Sequence, residues 1–162
     1  MSGFYRTMDP HEYEDITSRI LYEDNHLLVF NKRSGEIVQG DKTGDEPLSD
    51  TLKTYVAQRD SKPGQVFMGV PHRLDRPVSG VVIFAKTSKA LERLNEMFRS
   101  EGDKIQKRYR ALVEKCPEPA EGELVHYLLR NEKQNKSYAY PQPRNGAKES
   151  RLRYRLVHPT IN

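Results

Sequence analysis

The 162-residue chain has no tryptophan, one cysteine and no long hydrophobic run. The lone Cys116 leaves no disulfide framework and no thiolate set for a metal. No apolar stretch approaches the ~20 residues that a membrane span needs. The opening residues, MSGFYRTMDPHEYED, lack the basic start, apolar stretch and small-residue cleavage site of a secretory signal. His11, His26, His72, His126 and His158 are scattered without metal-ligand spacing. There is no glycine-rich phosphate loop, dinucleotide fingerprint, internal repeat or low-complexity tract. These absences point to a cytoplasmic protein without a metal site or a membrane span.

What is present describes a globular domain. Hydrophobic residues make up 35% of the chain and charged residues 31%, enough for a core beneath a well-solvated surface. Net charge is only +4, but it is unevenly spread. Between Lys104 and Arg155 there are 13 lysines and arginines against six acidic residues. A basic region of this kind suits a polyanionic partner, nucleic acid first, or equally a solvated face.

Residues 1–19 show no clear period and read as an N-terminal arm. Ile20–Lys32 reads as two short strands around the turn Glu23-Asp24-Asn25. Gly40–Pro47 is a loop of turn-formers. Its DKTG resembles the phosphorylated aspartate motif of ion-pumping ATPases, but Asp45 stands where that motif has threonine, so it reads as a turn. Ser49 is expected to cap a helix reaching Arg59, with Leu52, Tyr55 and Val56 on its apolar face. Gln65–Val70 and Val81–Lys86 are apolar enough for buried strands. Ser88 is expected to cap a second helix to about Ser100, with Leu91, Leu94, Met97 and Phe98 as its core stripe. Lys107–Glu114 alternates and predicts a strand with Tyr109, Ala111 and Val113 on one face. Leu124–Arg130 is a further strand. Arg151–His158 is another, with Leu152, Tyr154 and Leu156 inward and Arg151, Arg153 and Arg155 outward. The fold class expected is α+β: a mixed, largely antiparallel sheet with helices packed on it.

The most informative segment is Pro71–Gly80, PHRLDRPVSG, a polar insertion between two apolar strands. Strands position such a loop rigidly, which suits a functional site. Asp75 lies between Arg73 and Arg76, which would favour its ionised form, and an ionised carboxylate serves as nucleophile or base. The arginines could also hold phosphates. From residues alone, an ion-paired connecting loop explains the pattern as well.

HRLDRPVSG resembles the catalytic motif of RluA-type RNA pseudouridine synthases, with Val78 where threonine is common. The resemblance extends in order along the chain. Ile20–Gln39 resembles the family's opening strands and their Asn-Lys-x-x-Gly turn. Val81–Ser100 resembles the strand and helix after the catalytic loop, Lys107–Glu114 the Lys-x-Tyr-x-Ala-x-Val element, and Ala147–Val157 a later strand. By this resemblance residues 20–162 are a pseudouridine synthase catalytic domain acting on rRNA or tRNA uridines, by a reaction that needs no cofactor or metal. The resemblance makes Asp75 the catalytic aspartate. Arg73 is then the residue that helps displace the target base and contacts the RNA, and Tyr109 packs on the uracil. From the residues, Tyr109 suits either a base-stacking role or a place in the core. The stripe Arg151, Arg153, Arg155 suits either a solvated face or an RNA track.

The resemblance also implies a Thr-Gly-Arg-x-His-Gln motif, whose arginine pairs with the aspartate, and this motif does not occur in the chain. A fragment of a longer protein is therefore expected, with no S4-type RNA-binding domain ahead of it. The competing expectation is a non-catalytic RNA-binding remnant of the fold. Nothing in the sequence fixes an oligomeric state, and a monomer is the default expectation.

Overall fold

A strand that alternates Leu28, Phe30 and Lys32 with Leu27, Val29 and Asn31 must choose which set to bury. The computed structural model, which describes residues 4–99 and 104–158, buries the first set almost completely. The chain divides into two units, Met1–Lys107 and Arg108–Asn162. In the first, strands β1 (Ile20–Glu23), β2 (Leu27–Lys32) and β3 (Gly80–Ala85) form an antiparallel sheet in the order β1-β2-β3. Asp24 closes the first turn, its carboxylate accepting the backbone N–H groups of His26 and Leu27 at 2.7 Å each.

Opposite pairs Leu28/Phe84 and Phe30/Val82 face helices α1 (Pro10–Arg19) and α2 (Leu48–Arg59). Ile16 from α1 and Leu52, Tyr55 and Val56 from α2 complete that core. Each fully buried apolar side chain there contributes about 1.5–3 kcal/mol. Helix α3 (Ser88–Arg99) packs on the other face, where Ala90 and Leu94 join Ala85, Leu27 and Ile83. The sheet is therefore covered on both sides, giving the α+β arrangement expected.

Several local expectations are corrected. Residues 10–19, read as part of an arm, form α1. Asp9 caps it by accepting the Glu12 N–H at 3.0 Å, and Pro10 occupies the first turn, where no N–H is needed. The capping residue of α2 is Pro47 and not Ser49, which is buried in the first turn. In α3 the capping oxygen is Thr87 Oγ1, which accepts from Ala90 N–H, so Ser88 is the first helical residue.

Gln65–Val70 does not form a strand. Gly69 alone bridges the β3 edge, exchanging two backbone hydrogen bonds with Ala85 at 2.8 and 2.9 Å. The next bonded pair of such a ladder would join residues 71 and 83, but Pro71 has no N–H to give.

In the second unit, β4 (Glu121–Asn131), β5 (Lys136–Tyr140) and β6 (Lys148–Arg155) form an antiparallel sheet in the order β5-β4-β6. Strand β5 was not anticipated from the sequence, and β6 begins earlier than expected. Lys107–Glu114 has no strand partner among the described residues and is irregular, leaving Tyr109, Leu112 and Val113 exposed. Leu152, expected inward, is exposed. Two of the outward arginines are ion-paired: across the strands Arg151 and Arg153 each reach Glu123 (3.2 Å), and within β6 Arg151 bonds to Glu149 (2.7 Å). Arg155 stands opposite Glu121.

Candidate active site

The segment Pro71–Gly80 leaves the β3 edge and returns as β3 itself, and three interior groups hold its backbone. The first is His72. With Pro71 unable to extend the ladder, the free N–H of Ile83 donates to His72 Nε2 at 2.9 Å. The imidazole also stacks on Phe98 of α3, with ring centroids 4.6 Å apart. A nitrogen that accepts a backbone N–H must be unprotonated. Accordingly, burial, helped by the positive charge of Lys107, holds His72 below the usual histidine range.

The second is Lys32. As the third inward residue of β2, it points its amino group along the core floor to the end of the sheet. There Nζ donates to the backbone carbonyls of Arg33 (3.0 Å), Asp75 (3.2 Å), Arg76 (3.1 Å) and Val78. Burial pushes the ammonium below the usual lysine range, while the negative charges of Glu36 and Asp75 oppose that shift. Four carbonyl dipoles supply part of the solvation lost on burial.

The third is Gly35, whose N–H donates to the Arg76 carbonyl at 2.8 Å. Its φ of +94° is a conformation that residues with a Cβ rarely adopt, so the turn after β2 requires glycine at this point. Glu36 steadies the turn by accepting the Arg33 N–H at 2.7 Å and a pair of bonds from Arg19 Nη1 at 2.8 and 2.9 Å. Gly80, with φ +135°, makes the bend back into β3.

The loop itself closes by a hydrogen bond from Val78 N–H to the Asp75 carbonyl at 2.9 Å, and Leu74 packs against the main core. Inward residues therefore alternate with outward ones, and Arg73, Asp75 and Ser79 all stand exposed on the outer side. The Asp75 carboxylate makes no hydrogen bond or ion pair with any described residue, and neither does the Arg73 guanidinium. The expectation that both flanking arginines attend Asp75 is corrected. Arg76 turns away to Asp45 (2.8 Å), Thr43 Oγ1 (2.9 Å) and, more distantly, Asp41 (3.7 Å). It ties the loop Gly40–Pro47 to the site loop.

The structure thus brings Asp75 and Arg73 together on one held loop. Tyr109 belongs to the second unit, where its side chain is exposed. An unoccupied carboxylate beside an unpaired guanidinium suits attack or proton transfer on an anionic substrate. Lys32 and Gly35 were not singled out as site residues by the sequence reading. The signal was there for Lys32: a lysine in the inward phase of an apolar strand, directly before a turn. Among the described residues no cluster of His, Cys, Asp and Glu could hold a metal ion, and no helix is long and apolar enough to cross a membrane.

Residues 26–160 match the family model for RNA pseudouridylate synthase. The chain belongs to this family. Ribosomal large subunit pseudouridine synthase C of Escherichia coli strain K12 is 42% identical over 94 residues, which are 58% of this chain and 27% of that protein. Its namesake from Buchnera aphidicola subsp. Acyrthosiphon pisum is 41% identical over 99 residues, 61% of this chain and 29% of that one. The match therefore spans under a third of the length of either curated relative. Among solved structures, human RNA pseudouridylate synthase domain containing 4 is similar with a TM-score of 0.62 at 18% identity, covering 88% of this chain and 55% of that one. That likeness shows that the pseudouridine synthase fold is shared.

Proposed function

We propose that this domain isomerises uridine to pseudouridine in RNA, with Asp75 as the acting carboxylate. The observation that carries the reading is the unbonded, exposed Asp75 side chain on a loop whose backbone is fixed from inside by Lys32, Gly35 and His72. Such a group is positioned yet uncommitted, as a nucleophile or base must be before substrate arrives. Ribosomal or transfer RNA is the substrate class. The curated relatives are named for the large ribosomal subunit, which favours the ribosomal kind.

The reacting atoms of a uridine are out of reach within a helix, so the nucleotide must first leave its stack. Arg73, two residues from Asp75 and unpaired, holds the backbone phosphate and occupies the space the base vacates. Asp75 promotes cleavage of the bond between ribose C1′ and uracil N1. The freed uracil turns and rejoins C1′ through C5, and the C5 proton then leaves. The ring of Tyr109 supplies the stacking surface for the uracil, worth ~1–3 kcal/mol for a base on an aromatic face. The proton lost from C5 to solvent is balanced by one taken up at N1, so the product is an isomer and no oxidant or external group is consumed.

The test is release of tritium from RNA labelled at uracil C5, with the parent chain, Asp75→Asn and Tyr109→Phe. Release by the parent, its loss in Asp75→Asn with RNA affinity retained, and slowing in Tyr109→Phe are the expected results. Turnover by Asp75→Asn would remove Asp75 from the chemistry. A second reading, a non-catalytic RNA-binding domain of the same fold, is favoured by the lack of any described cation paired with the Asp75 carboxylate. A folded parent that binds RNA and releases no tritium would support it.

A further inference from the structure

We infer that the β4–β5 hairpin carries a binding site for single-stranded RNA, separate from the Asp75 loop. The inference rests on the RNA reading above and adds where the strand is held. The arginine stripe of β6 was the obvious candidate track, but the structure spends it internally. Arg151 and Arg153 bond to Glu123 and Glu149, and Arg155 stands opposite Glu121 in the ladder. A neutralised face releases few counterions when it meets a polyanion.

The uncompensated charge lies further along the same sheet. From Arg130 to Lys148 there are five basic residues, Arg130, Lys133, Lys136, Arg144 and Lys148, and one acidic residue, Glu132. None of the five forms an ion pair among the described residues. Antiparallel register sets Lys136 on the face that carries the aromatic rings, while Arg130 and Lys148 stem from the other face. Tyr127 stands opposite Tyr140 and Leu129 opposite Tyr138, so all four side chains project from one face. Arg144 lies over the Tyr140 ring at 4.4 Å and Lys136 over Tyr138 at 5.4 Å. Tyr138, Tyr140, Gln134, Arg130, Lys133 and Glu132 are among the residues that line a shallow open depression of about 610 Å³. Gln134 Oε1 accepts the Tyr138 hydroxyl at 2.6 Å, which ties the ring to the turn.

Aromatic faces interleaved with cations are what an unpaired nucleic-acid strand binds, bases on the rings and phosphates on the amines. A double helix hides its base faces, and an acidic peptide needs no row of rings. The ligand is therefore single-stranded RNA, read by shape and charge rather than by base identity.

The test uses the full chain carrying Asp75→Asn, so that binding is read without turnover. Anisotropy of a labelled uridine-rich 12-mer is followed as salt is raised. Tyr138→Ala is expected to weaken binding about five- to a hundredfold through lost stacking, and Tyr138→Phe to bind as the parent does. The double variant Lys133→Gln/Lys136→Gln is expected to flatten the slope of log affinity against log salt by about 1.4, for two phosphates. Arg151→Gln/Arg153→Gln is expected to leave the slope unchanged. Parent-like binding by Tyr138→Ala and by the lysine pair would overturn the hairpin site while leaving the RNA reading intact. So would a slope that flattens in the arginine pair and not in the lysine pair. A parent that binds no RNA at the lowest salt would overturn both.

Discussion

Replacing Lys32 with methionine isolates the group that shapes the active-site loop from beneath. Methionine keeps most of the volume of the stem among Phe30, Val82 and their neighbours, so little cavity opens. What is lost is the donor to four carbonyls. Two of them keep another partner: Asp75 has the Val78 N–H and Arg76 has the Gly35 N–H. The carbonyls of Arg33 and Val78 depend on Lys32. A buried acceptor left bare costs about 1–3 kcal/mol, so two cost about 2–6 kcal/mol. Removing the ammonium also removes its own desolvation cost, and the loop surface is open to water, so the lower half of that range applies. Urea denaturation should show a loss of ~2–4 kcal/mol, a sizeable part of the 5–15 kcal/mol typical of a domain. Because Lys32 is buried and cannot touch RNA, affinity should hold while tritium release falls with the displaced Asp75. A loss under ~0.5 kcal/mol together with parent-like release would refute the assignment, since the carbonyls would then have been satisfied without Lys32.

Gly35→Ala places a Cβ on a backbone with φ +94° in a spot where no other atom lies within 4 Å. Its cost is backbone strain alone, about 1–2 kcal/mol, and a melting temperature equal to the parent's would contradict it. His72 is held below its ordinary range, so the unfolded chain takes up its proton first. Stability from this group is intact above the unfolded value of about 6.5 and declines as pH falls through the lower folded value. The decline should shrink in His72→Gln, which a pH series of urea midpoints would read; an identical decline in that variant would clear His72 of the effect.

Much of this architecture was legible because it follows from period and punctuation. The two short strands within Ile20–Lys32, the apolar run of β3 and the helical spacing of Leu52, Tyr55 and Val56 all reappear in the structure, the last two as buried side chains. The held loop Pro71–Gly80 was legible as a polar insertion between two apolar segments, of which only the second is a strand. Other parts were not, for reasons that can be named. Helix α1 buries only Ile16 and Arg19, too few apolar positions for a period, although Asp9-Pro10 marked its start. Lys107–Glu114 alternates as a strand does, but alternation specifies faces and not a partner, and none pairs with it among the described residues. Gln65–Val70 failed as a strand because Pro71 ends the ladder one step beyond Gly69. The partnership of Arg76 with Asp45 joins residues 31 apart in sequence, a distance at which adjacency says nothing. For the same reason the neighbouring Asp75 was wrongly expected to be its partner.

The place of Lys32 on β2 has a consequence for how the domain comes together. Side chains of a strand alternate with period two, so a slip of one residue between β2 and its neighbours would turn Lys32 outward and Asn31 inward. The loop carbonyls would then face an amide too short to reach them. Correct strand registration is thus a precondition of a shaped loop: a misaligned sheet cannot present a working Asp75, and activity itself reports that the sheet has been assembled in phase.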